Sequence, residues 1–475
     1  MPKVGMVSLG CPKNLVDSEV MLGTLVNQGF ELTPRPDEAD IIIVNTCAFI
    51  EPAKQESINT ILEMADYKKF GSAKKLVVAG CLVERYRKEI QEQIPEVDYV
   101  IGTNELERVL EACADTPQPP IGGAPAEPYL YHEFTPRVLS TPGYSAYLKI
   151  AEGCDHPCTF CVIPQMRGAF RSRRFASVIR EAENLAMQGV RELTIVGQDT
   201  TSYGEDLGLR DGLPQLLREL GKIPELVWVR FLYCYPNRVT DSLIAAVAET
   251  PKVAKYFDIP LQHASGNVLK LMKRGSNGTH FLRLLEKIRA AIPGVALRTS
   301  FIVGFPGETD DDFKELLDFV MAAEFDHLGV FLYSNEESSR SFELPNQVPA
   351  ATARRRQKQL MSLQRKVSRR NLRRMVGKSI PVLVEGPSEE TDLLYQGRSE
   401  RQAPGIDGCI LINDFEGPEP QRGEMRWATI TEVGDYDLVA RLEEKVFAER
   451  ATAAIPLPAT GSLVQIQPLA AASST

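Results

Sequence analysis

The stretch Ile150-Ala-Glu-Gly-Cys154-Asp-His-Pro-Cys158-Thr-Phe-Cys161 decides how the rest of the chain is interpreted. Its three cysteines are spaced C-x3-C-x2-C and come directly after a predicted β-strand. Thiolates this close together hold metal–sulfur centres, and iron–sulfur clusters usually take four of them. Because the stretch has no fourth cysteine, one iron atom would keep an open coordination position, as catalytic metal sites do. His156 lies among the cysteines, and a zinc site that uses it is the weaker alternative.

Predicted strands alternate with predicted helices on both sides of this stretch. Apolar, β-branched runs lie at residues 146–150, 192–196, 226–232, 256–259, 296–303 and 327–333. Six such β/α units predict a barrel or partial barrel, with its active site at the carboxyl ends of the strands. The cysteine stretch follows the first of these strands, so we expect it at that end of the barrel.

Three more cysteines follow strands in the amino-terminal part of the chain. Strands predicted at residues 4–9, 40–44 and 75–79 are followed by Cys11, Cys47 and Cys81. Strands separated by helices form a parallel sheet, and ligands bind such sheets beyond the carboxyl ends of the strands. We therefore expect these three thiols to gather at one sheet edge. Three unrelated buried thiols are the weaker alternative.

Composition limits the classes of protein that fit. The chain has 475 residues, a formal net charge of -9 and nine cysteines, an odd number that fits reduced thiols better than a disulfide framework. The negative charge argues against a protein that coats nucleic acid by bulk charge. No apolar run approaches the roughly 20 residues of a membrane span, and no signal peptide precedes the first strand. We predict a soluble, cytoplasmic protein.

We predict an α/β protein of three domains. Residues 2–115 form a parallel α/β domain, residues 116–139 a linker rich in Pro, Gly and Ala, and residues 140–372 the partial β/α barrel. Short strands at residues 380–385, 408–412, 427–433 and 438–442 predict a small antiparallel β-barrel over residues 373–444. Residues 448–475 have the composition of a disordered tail.

The last predicted helix of the barrel domain is strongly basic. Residues 354–374 contain ten Lys or Arg and no Asp or Glu. Such a run is either a solvated helix face or a contact surface for a polyanion, and the sequence leaves both interpretations open.

The C-x3-C-x2-C stretch after a first barrel strand resembles the radical S-adenosylmethionine superfamily. The resemblance implies that Cys154, Cys158 and Cys161 hold a [4Fe-4S] cluster whose open iron binds S-adenosylmethionine. Reductive cleavage of that molecule would yield a 5′-deoxyadenosyl radical, so that the cofactor supplies the radical chemistry and the protein supplies position and exclusion.

The same resemblance implies contacts to the bound S-adenosylmethionine. Phe160 would flank the adenine, and Gly304 would open space for the nucleoside at a strand end. A turn before the next helix explains Gly304 and Gly307 equally well. Gln198 and Asp199 end another predicted strand and are further candidates.

Residues 4–444 as a whole resemble the methylthiotransferases of this superfamily, whose small carboxyl-terminal barrel is called TRAM. The resemblance implies that Cys11, Cys47 and Cys81 hold an auxiliary [4Fe-4S] cluster. It implies two uses of S-adenosylmethionine: one molecule methylates a sulfur associated with that cluster, and another yields the radical that abstracts hydrogen. It further implies an electron donor such as flavodoxin or ferredoxin. A non-catalytic iron–sulfur protein is the alternative from a different class.

Members of this family modify either an adenosine of tRNA or the β-carbon of an aspartate in ribosomal protein S12. Three stretches resemble the S12-modifying branch, namely Leu9-Gly-Cys-Pro-Lys-Asn-Leu-Val-Asp-Ser-Glu19, Ile163-Pro-Gln-Met-Arg-Gly168 and Gly397-Arg-Ser-Glu-Arg-Gln-Ala-Pro-Gly-Ile-Asp-Gly408. One departure is Ser338-Ser339, where the family usually has Gly-Thr.

The charge of the small barrel favours the same branch. Residues 373–444 carry 8 basic and 15 acidic residues, a net charge of −7. A barrel that grips RNA should be basic because phosphate contacts supply most non-specific affinity, whereas an acidic barrel complements a basic ribosomal protein. Solubility alone is the other explanation. We therefore expect S12 as the substrate, rRNA as a further contact of the basic helix, and tRNA modification as the alternative.

Overall fold

The computed structural model describes residues 1–114, 129–388, 391 and 393–448. The predicted linker residues 116–128 and the predicted tail beyond residue 448 lie outside the described residues. The described chain forms an α/β domain, a partial β/α barrel and a small closed β-barrel, which confirms the predicted fold class. None of its helices is both long enough and apolar enough to cross a membrane.

The amino-terminal domain is a parallel sheet with helices between its strands. Its strands are β1 (Lys3–Ser8), β2 (Glu31–Leu32), β3 (Ile41–Thr46), β4 (Lys75–Gly80) and β5 (Tyr99–Ile101). Its helices are α1 (Pro12–Asn27), α2 (Glu51–Phe70), α3 (Cys81–Gln93) and α4 (Val109–Cys113). The strand order is β2-β1-β3-β4-β5, so the three predicted strands are neighbours. All six residues of β3 are buried, as expected for a parallel strand with helices on both faces.

The middle domain contains all six predicted barrel strands. Its strands are β6 (Ser145–Lys149), β7 (Ala151–Glu152), β8 (Arg171–Ser172), β9 (Glu192–Val196), β10 (Trp228–Phe231), β11 (Tyr256–Asp258), β12 (Ala296–Val303) and β13 (His327–Leu332). Its helices are α5 (Ile163–Arg167), α6 (Phe175–Met187), α7 (Gly212–Leu220), α8 (Asp241–Glu249), α9 (Gly266–Leu271), α10 (Gly278–Ala291), α11 (Asp310–Ala323) and α12 (Ala350–Arg373). The strands form two parallel sheets, β10-β9-β6 and β11-β12-β13, and a bridge between Val229 of β10 and Val253, just before β11, connects them. Among the described strands, β6 and β13 do not pair with each other, so the barrel is partial.

The small barrel consists of β14 (Ser379–Pro387), β15 (Tyr395–Arg398), β16 (Ile410–Phe415), β17 (Met425–Val433) and β18 (Leu438–Ala448). The closed order is β14-β15-β16-β18-β17. Four neighbouring pairs are antiparallel, whereas β16 and β18 are parallel. A closed ring with an odd number of strands cannot alternate direction throughout, so one parallel pair follows from the strand count. The sequence analysis did not predict β15.

One segment of the small barrel, residues 398–407, closes the amino-terminal end of the partial barrel; we call it the floor segment. Arg398 Nη2 lies 2.6 Å from Glu192 Oε2 at the start of β9. The Tyr256 hydroxyl, at the start of β11, donates to Asp407 Oδ2 over 2.7 Å. Ala403 is fully buried in an apolar cluster with residues of β9, β10, β11 and β12. The opposite end of the strands is left to face the amino-terminal domain.

The amino-terminal domain packs against that opposite end. Glu336, which follows β13, is 1% exposed and lies 3.1 Å from Lys54 Nζ and 2.8 Å from Arg85 Nη1. Lys149, at the end of β6, pairs with Asp17 of α1. We call this contact surface the domain interface. It brings the carboxyl ends of the barrel strands towards the part of the amino-terminal sheet that bears the cysteines.

Candidate metal and cofactor site

The three amino-terminal cysteines lie where adjacent strands end. Cys11 precedes α1, Cys47 follows β3, and Cys81 follows β4 and begins α3. Gly10 has φ +88°, and a Cβ atom there would lie 2.7 Å from Cys47 Cβ, so the backbone before Cys11 passes Cys47 at close range. The topology thus gathers these thiols, as predicted; their role as cluster ligands stays a prediction.

Burial and charge act differently on these three thiols. Burial and the neighbouring Cys81 raise the pKa of Cys47 to about 12. Burial also raises the pKa of Cys81 to about 11, against the effect of Arg167. Burial opposes ionisation of Cys11 as well, but Lys13 and Arg167 lie near enough to lower the pKa of Cys11 below its usual value. Metal binding releases such protons because a thiol must be deprotonated to act as a ligand.

The second triad, Cys154, Cys158 and Cys161, occupies the loop after β7. Arg274 holds this loop, since its Nη1 donates to Cys158 Sγ over 3.4 Å and its Nη2 donates to the Pro260 carbonyl over 2.6 Å. Burial raises the pKa of Cys154 to about 11 and that of Cys161 to about 12. The sequence analysis missed Arg274, because nothing in its local sequence separates it from an ordinary surface arginine.

His156 is engaged outside the thiol triad. Its Nε2 lies 2.6 Å from Asp199 Oδ2, and its ring stacks on Tyr235 with centroids 3.6 Å apart. The zinc alternative needs this side chain as a fourth ligand, so these contacts argue against it. Among the described residues, no group of three or more His, Cys, Asp or Glu side chains is arranged to hold a single metal ion. A cluster whose thiolates bind separate iron atoms does not require that arrangement.

Two predicted S-adenosylmethionine contacts lie near each other. Phe160 packs on a buried apolar cluster that contains Phe305, the residue after Gly304. Gly304 has φ +82°, and its N–H, like that of Phe305, donates to the Glu308 carboxylate. A Cβ atom at Gly304 would lie 2.5 Å from Ala353 Cβ of α12. The turn and the close approach of this helix explain the glycine, and a nucleoside contact there stays a prediction.

Gln198, the third predicted contact, belongs to a buried polar network at the domain interface. Its Nε2 donates to Glu152 Oε1 over 2.5 Å, whereas its own Oε1 is buried without a hydrogen-bond partner. Lys149 Nζ donates to Glu152 Oε2 over 2.7 Å. Burial opposes ionisation of Glu152, but Lys149 and Arg167 lower its pKa to about 2. The orphaned Gln198 acceptor fits a hydrogen-bond donor of a bound ligand.

Arg167 joins this network to the amino-terminal cysteines. It is 1% exposed, its Nη1 donates to Asp17 Oδ2 over 2.6 Å, and its Nη2 donates to Asn14 Oδ1 over 3.0 Å. The positive charge of Arg167 also favours the thiolate forms of all three amino-terminal cysteines, against the effect of burial on their pKa. A residue that follows the second triad in sequence therefore lies beside the first triad. The Met-Arg-Gly stretch resembles that of the family, but the sequence alone indicates no role for Arg167.

The loop after β10 connects the two triads from another side. Tyr233 presents its ring to Lys13, whose Nζ lies 3.5 Å from the ring centroid. Tyr235, two residues later, stacks on His156 and lies under the Arg274 guanidinium, 4.5 Å from its centroid. Tyr233 adopts φ +63°, a left-handed conformation that is strained for a tyrosine and common at functional sites. Neither tyrosine had a signal in the sequence.

The other three cysteines and His263 lie within the packing of their own domains. Cys113 and Cys234 are buried in apolar clusters of their domains. The Cys409 N–H donates to Asp437 within the small barrel. His263 is fully buried, and its Nδ1 accepts the Ser265 N–H over 3.0 Å. None of these four side chains lies at the two triads.

Three sequence families match successive parts of the chain. Residues 3–102 match a family described as Uncharacterized protein family UPF0004, residues 148–320 match the Radical SAM superfamily, and residues 376–442 match the TRAM domain. The matches correspond to the amino-terminal sheet, most of the partial barrel and the small closed barrel.

Curated relatives are similar over nearly the whole chain. Ribosomal protein uS12 methylthiotransferase RimO of Solibacter usitatus (strain Ellin6076) is 60% identical over 99% of this chain and 100% of its own length. The protein of the same name from Koribacter versatilis (strain Ellin345) is 55% identical over 93% of this chain and 96% of its own length. The protein of the same name from Trichlorobacter lovleyi is 50% identical over 93% of this chain and 98% of its own length.

Solved structures share the fold at low sequence identity. The radical S-adenosylmethionine methyltransferase TsrM from Kitasatospora setae, with cobalamin and a [4Fe-4S] cluster bound, gives a TM-score of 0.51 at 17% identity. That comparison covers 72% of this chain and 74% of the other. A second structure of TsrM, with tryptophan and an S-adenosylmethionine analogue bound, gives a TM-score of 0.50 at 18% identity. That comparison covers 70% of this chain and 73% of the other. Likeness at this level concerns the fold alone.

Proposed function

Because this chain belongs to the RimO family of ribosomal protein uS12 methylthiotransferases, we propose that it adds a methylthio group to the β-carbon of an aspartate in ribosomal protein S12. The observation that supports the proposal is that both thiol triads have neighbours at one buried domain interface. Arg167, six residues after Cys161, donates to Asp17 in the helix that follows Cys11. The loop after β10 contacts Lys13, two residues after Cys11, and His156, which lies within the second triad. A transfer between two cofactors requires such proximity.

We assign a [4Fe-4S] cluster and S-adenosylmethionine to Cys154, Cys158 and Cys161, and an auxiliary [4Fe-4S] cluster to Cys11, Cys47 and Cys81. The donor set fits, since iron–sulfur clusters are held by thiolates. When bound, these groups supply reductive cleavage of S-adenosylmethionine to a 5′-deoxyadenosyl radical and a sulfur atom for transfer.

The chain's own residues hold, orient and shield these groups. The Arg274 hydrogen bond fixes the position of Cys158. Burial raises the pKa of Cys81, and the positive charge of Arg167 opposes that rise, as groups around metal ligands commonly do. Phe160 and Gln198 are assigned to S-adenosylmethionine, with the free Gln198 carbonyl oxygen as acceptor. Gly304 is assigned to the same ligand on the family resemblance alone. The packed domain interface excludes water, which protects reactive species from side reactions.

Mass spectrometry of the reaction products tests the proposed substrate. The reconstituted holoenzyme with S-adenosylmethionine and a reductant is incubated with an S12 peptide and, separately, with tRNA. We expect a methylthio mass gain on the peptide aspartate only, because the net charge of −7 in residues 373–444 opposes RNA and favours a basic protein. A gain on tRNA alone would overturn the proposal. If no 5′-deoxyadenosine forms under reduction, the non-catalytic alternative holds instead.

The division of roles between the triads is tested by two variants. Cys154→Ala should abolish formation of 5′-deoxyadenosine, because it removes a ligand of the cluster assigned to S-adenosylmethionine. Cys47→Ala should leave much of that cleavage but stop methylthiolation. Cys113→Ala, which removes a buried thiol outside both triads, is the matched control and should retain both reactions. Equal behaviour of Cys154→Ala and Cys47→Ala would contradict the assignment.

We propose that α12 contacts rRNA when S12 is modified on the ribosome. Within the described residues, Arg354, Arg355, Lys358, Lys366 and Arg373 form no ion pair with a carboxylate, although all are exposed. Four of them line an open groove of about 880 Å³ beside α11. Unpaired cations on a single helix suit phosphates.

The test of this contact is charge reversal. The variant R354E/R355E/K358E should lose activity on small ribosomal subunits more strongly than on the free S12 peptide, with the loss growing at low salt. The control reverses three exposed cations elsewhere, K69E/K88E/R210E, and should change neither activity. Equal effects of both variants on subunits would contradict a contact through α12.

Three further assignments complete the proposal. Flavodoxin or ferredoxin supplies the electron, since the radical reaction requires an external reductant. The protein acts in the cytoplasm, where its proposed ribosomal substrate is found. Its domains span residues 2–115, 140–372 and 373–444.

A further inference from the structure

An open groove lies between α11 and α12, and none of the residues that line it belongs to either thiol triad; we call it the α11–α12 groove. Its volume is about 880 Å³. Clefts that bury small ligands measure about 300 to 1,000 Å³, so a ligand of that size fits into the groove. The described lining residues form an apolar bottom between cationic edges, and each of these two parts indicates one property of the ligand.

The bottom of the α11–α12 groove is apolar. Leu317 and Met321 lie one helical turn apart on α11, and Leu363 contributes from α12. Leu317 and Leu363 also pack against the core of the partial barrel, whereas Met321 is 49% exposed. Phosphates bind through charge and hydrogen bonds, so a contact with phosphates alone does not need this surface. Exposed apolar surface in a groove therefore indicates a ligand that has an apolar face as well.

The edges of the groove are positively charged. Lys314 lies on α11, and α12 contributes Arg354, Arg355, Lys358 and Lys366. Asp318 is the single acid among the lining residues that the structure describes. Lys314, like the four cations of α12, forms no ion pair with a described carboxylate. The edges therefore suit a ligand with negative charges beside its apolar face.

The cations of α12 continue beyond the groove on the same side of the helix. From Arg354 to Arg373 they cover about 28 Å of α12. At about 100° per residue, these two residues and the three lining cations between them fall within about 120° of the helix circumference. RNA carries a negative charge on every nucleotide, so it suits a row of this length. An acidic peptide seated in the groove would leave the cations beyond it unused.

Only an unpaired nucleotide of RNA can use the apolar bottom. In a duplex the bases are stacked on one another, so their faces are covered. An unpaired base exposes its face, which packs on apolar side chains and on guanidinium planes such as those of Arg354 and Arg355. An apolar bottom between cationic edges thus corresponds to a base between two phosphates.

We propose that the α11–α12 groove binds an unpaired nucleotide of ribosomal RNA. Its base lies against Leu317, Met321 and Leu363, and the adjoining phosphates bind the cations of the two edges. The inference rests on the rRNA contact proposed for α12 and names the kind of RNA that this contact takes. Apolar packing on a base face does not read the hydrogen-bonding edges of the base, so the groove selects RNA by secondary structure rather than by sequence.

The test compares two fluorescently labelled RNA hairpins that differ only in one unpaired adenosine, which bulges from the stem of one of them. Both are titrated with the reconstituted full-length protein at the same salt concentration, because phosphate contacts depend strongly on salt. The wild type should bind the bulged hairpin about 10-fold more tightly, at the lower end of what one stacked base contributes. We call this ratio of affinities the bulge preference.

Met321→Ala tests the apolar bottom, since it removes an exposed apolar side chain without changing the charge or the helix propensity much. The bulge preference should fall to about 2-fold, while the affinity for the paired hairpin stays that of the wild type. Met321→Phe offers a flat surface for a base and should keep or increase the preference. The matched control, Met187→Ala, removes a methionine that is 65% exposed at the end of α6, outside the groove, and should keep the preference.

Lys358→Gln tests the edge separately from the bottom. It should weaken the binding of both hairpins equally, because it removes a phosphate contact. The slope of log affinity against log salt concentration should become smaller by about 1. Met321→Ala should leave this slope unchanged.

Three results would overturn the inference. The first is equal affinity of the wild type for the two hairpins, and the second is an unchanged bulge preference in Met321→Ala. The third is binding of a synthetic amphipathic peptide, with Leu along one face and Glu on its flanks, without binding of either hairpin. The groove would then serve a protein partner.

Failure of this inference can be told apart from failure of the proposed function. If R354E/R355E/K358E weakens the binding of both hairpins while Met321→Ala keeps the bulge preference, the contact through α12 stands and only the role of the groove is wrong. If the wild type binds neither hairpin, the rRNA contact fails and the inference falls with it. Methylthiolation of the S12 peptide is measured without RNA, so it reports on the enzymatic assignment alone.

Discussion

Arg167 illustrates how much a single buried side chain can connect. It follows the second triad in sequence, yet it contacts Asp17 and Asn14 of the amino-terminal domain and lies beside the first triad. Its guanidinium serves two carboxylates, an amide and a thiol at once, which the planar fork of arginine permits and the ammonium of lysine does not.

We expect Arg167→Met to lose iron from the auxiliary site while the second triad keeps its cluster. The change leaves Asp17 and Glu152 with Lys149 as their shared cation, and loss of one partner in a buried ion-pair network costs about 3 to 5 kcal/mol. Iron content per chain, combined with S-adenosylmethionine cleavage, measures the outcome. Arg174→Met, at an exposed arginine nearby, is the control; equal iron loss in both variants would contradict a specific role.

At this scale the sequence carries a clearer signal for the six candidate cysteines than for their surroundings. Tight spacing or a position at a strand end marks each of these cysteines, whose role as ligands stays a prediction. Arg274, Lys13, Tyr233 and Tyr235 were missed because each acts through contacts with residues far away in the chain. Such contacts depend on which strand ends meet, and local sequence does not encode that.

Among the elements, the contact between the end of β12 and α12 shows how closely backbone and helix approach. Gly304 has a left-handed backbone conformation, and Ala353 lies so close that no side chain would fit at this position. The basic helix thus also packs against the end of β12: its buried Arg356 lies 2.8 Å from Asp310 and 3.4 Å from Glu308.

Gly304→Ala should destabilise the protein by about 3 kcal/mol or more, because it adds a steric clash to backbone strain. Gly294→Ala is a matched control, with φ +81° and open space around the added Cβ, so it should show the strain alone, about 1 to 2 kcal/mol. Adding Ala353→Gly to Gly304→Ala should recover part of the loss. Urea denaturation measures the free energy of unfolding of all three variants. If Ala353→Gly recovers none of the stability lost in Gly304→Ala, a steric clash with Ala353 is contradicted.

The elements themselves were largely predictable. Long, apolar strands such as β3 and β12 have enough periodicity to be recognised. The sequence does not predict five of the strands, β2, β5, β7, β8 and β15, each of which has only two to four residues. Tertiary pairing, rather than their own sequence, determines that they are extended.

For the whole molecule, one buried carboxylate contributes to the attachment of the small barrel, together with the Asp407 and Ala403 contacts of the floor segment. Glu192 accepts from Arg398 and lies 3.4 Å from Arg230. Burial raises the pKa of Glu192, but Arg398 and Arg230 lower it to about 2. Trp228, which is 5% exposed, packs beside this pair against Leu383 and Met425 of the small barrel.

Acid should therefore detach the small barrel. Because the pKa of Glu192 is lower in the folded state than the ordinary value of about 4.3, the pair stabilises the fold fully above about pH 4.3. This contribution, on the order of 3 kcal/mol, is lost as the pH falls towards 2. Trp228 emission should shift to the red over that range, and in Glu192→Gln the shift should already be present at higher pH.

The control for this prediction is Glu416→Gln, which removes an exposed partner of Arg441 at 3.5 Å. Exposed pairs contribute little to stability, so its acid transition should match that of the wild type. Identical acid transitions in Glu192→Gln and the wild type would contradict the role of the pair.

The domain order was predictable from the sequence, whereas the way the domains fit together was not. The stretch from Gly397 to Gly408 was noted only for its resemblance, and its burial under the partial barrel emerges from the fold. Likewise, the sequence does not indicate that Glu336 forms buried ion pairs between two domains. This residue lies just before Ser338 and Ser339, where the chain differs from the usual Gly-Thr of the family.

The floor segment has a practical consequence for protein engineering. Domains of this size are commonly exchanged between relatives as if they were independent modules. Here, a chimera that replaces the small barrel also replaces the floor segment at the amino-terminal end of the partial barrel. This segment includes Asp407, which pairs with Arg298. Arg298 in turn donates to Asp258, which accepts the Tyr233 N–H and so fixes the loop after β10. A graft that aims to alter partner choice must therefore keep residues 398–407 from the original chain.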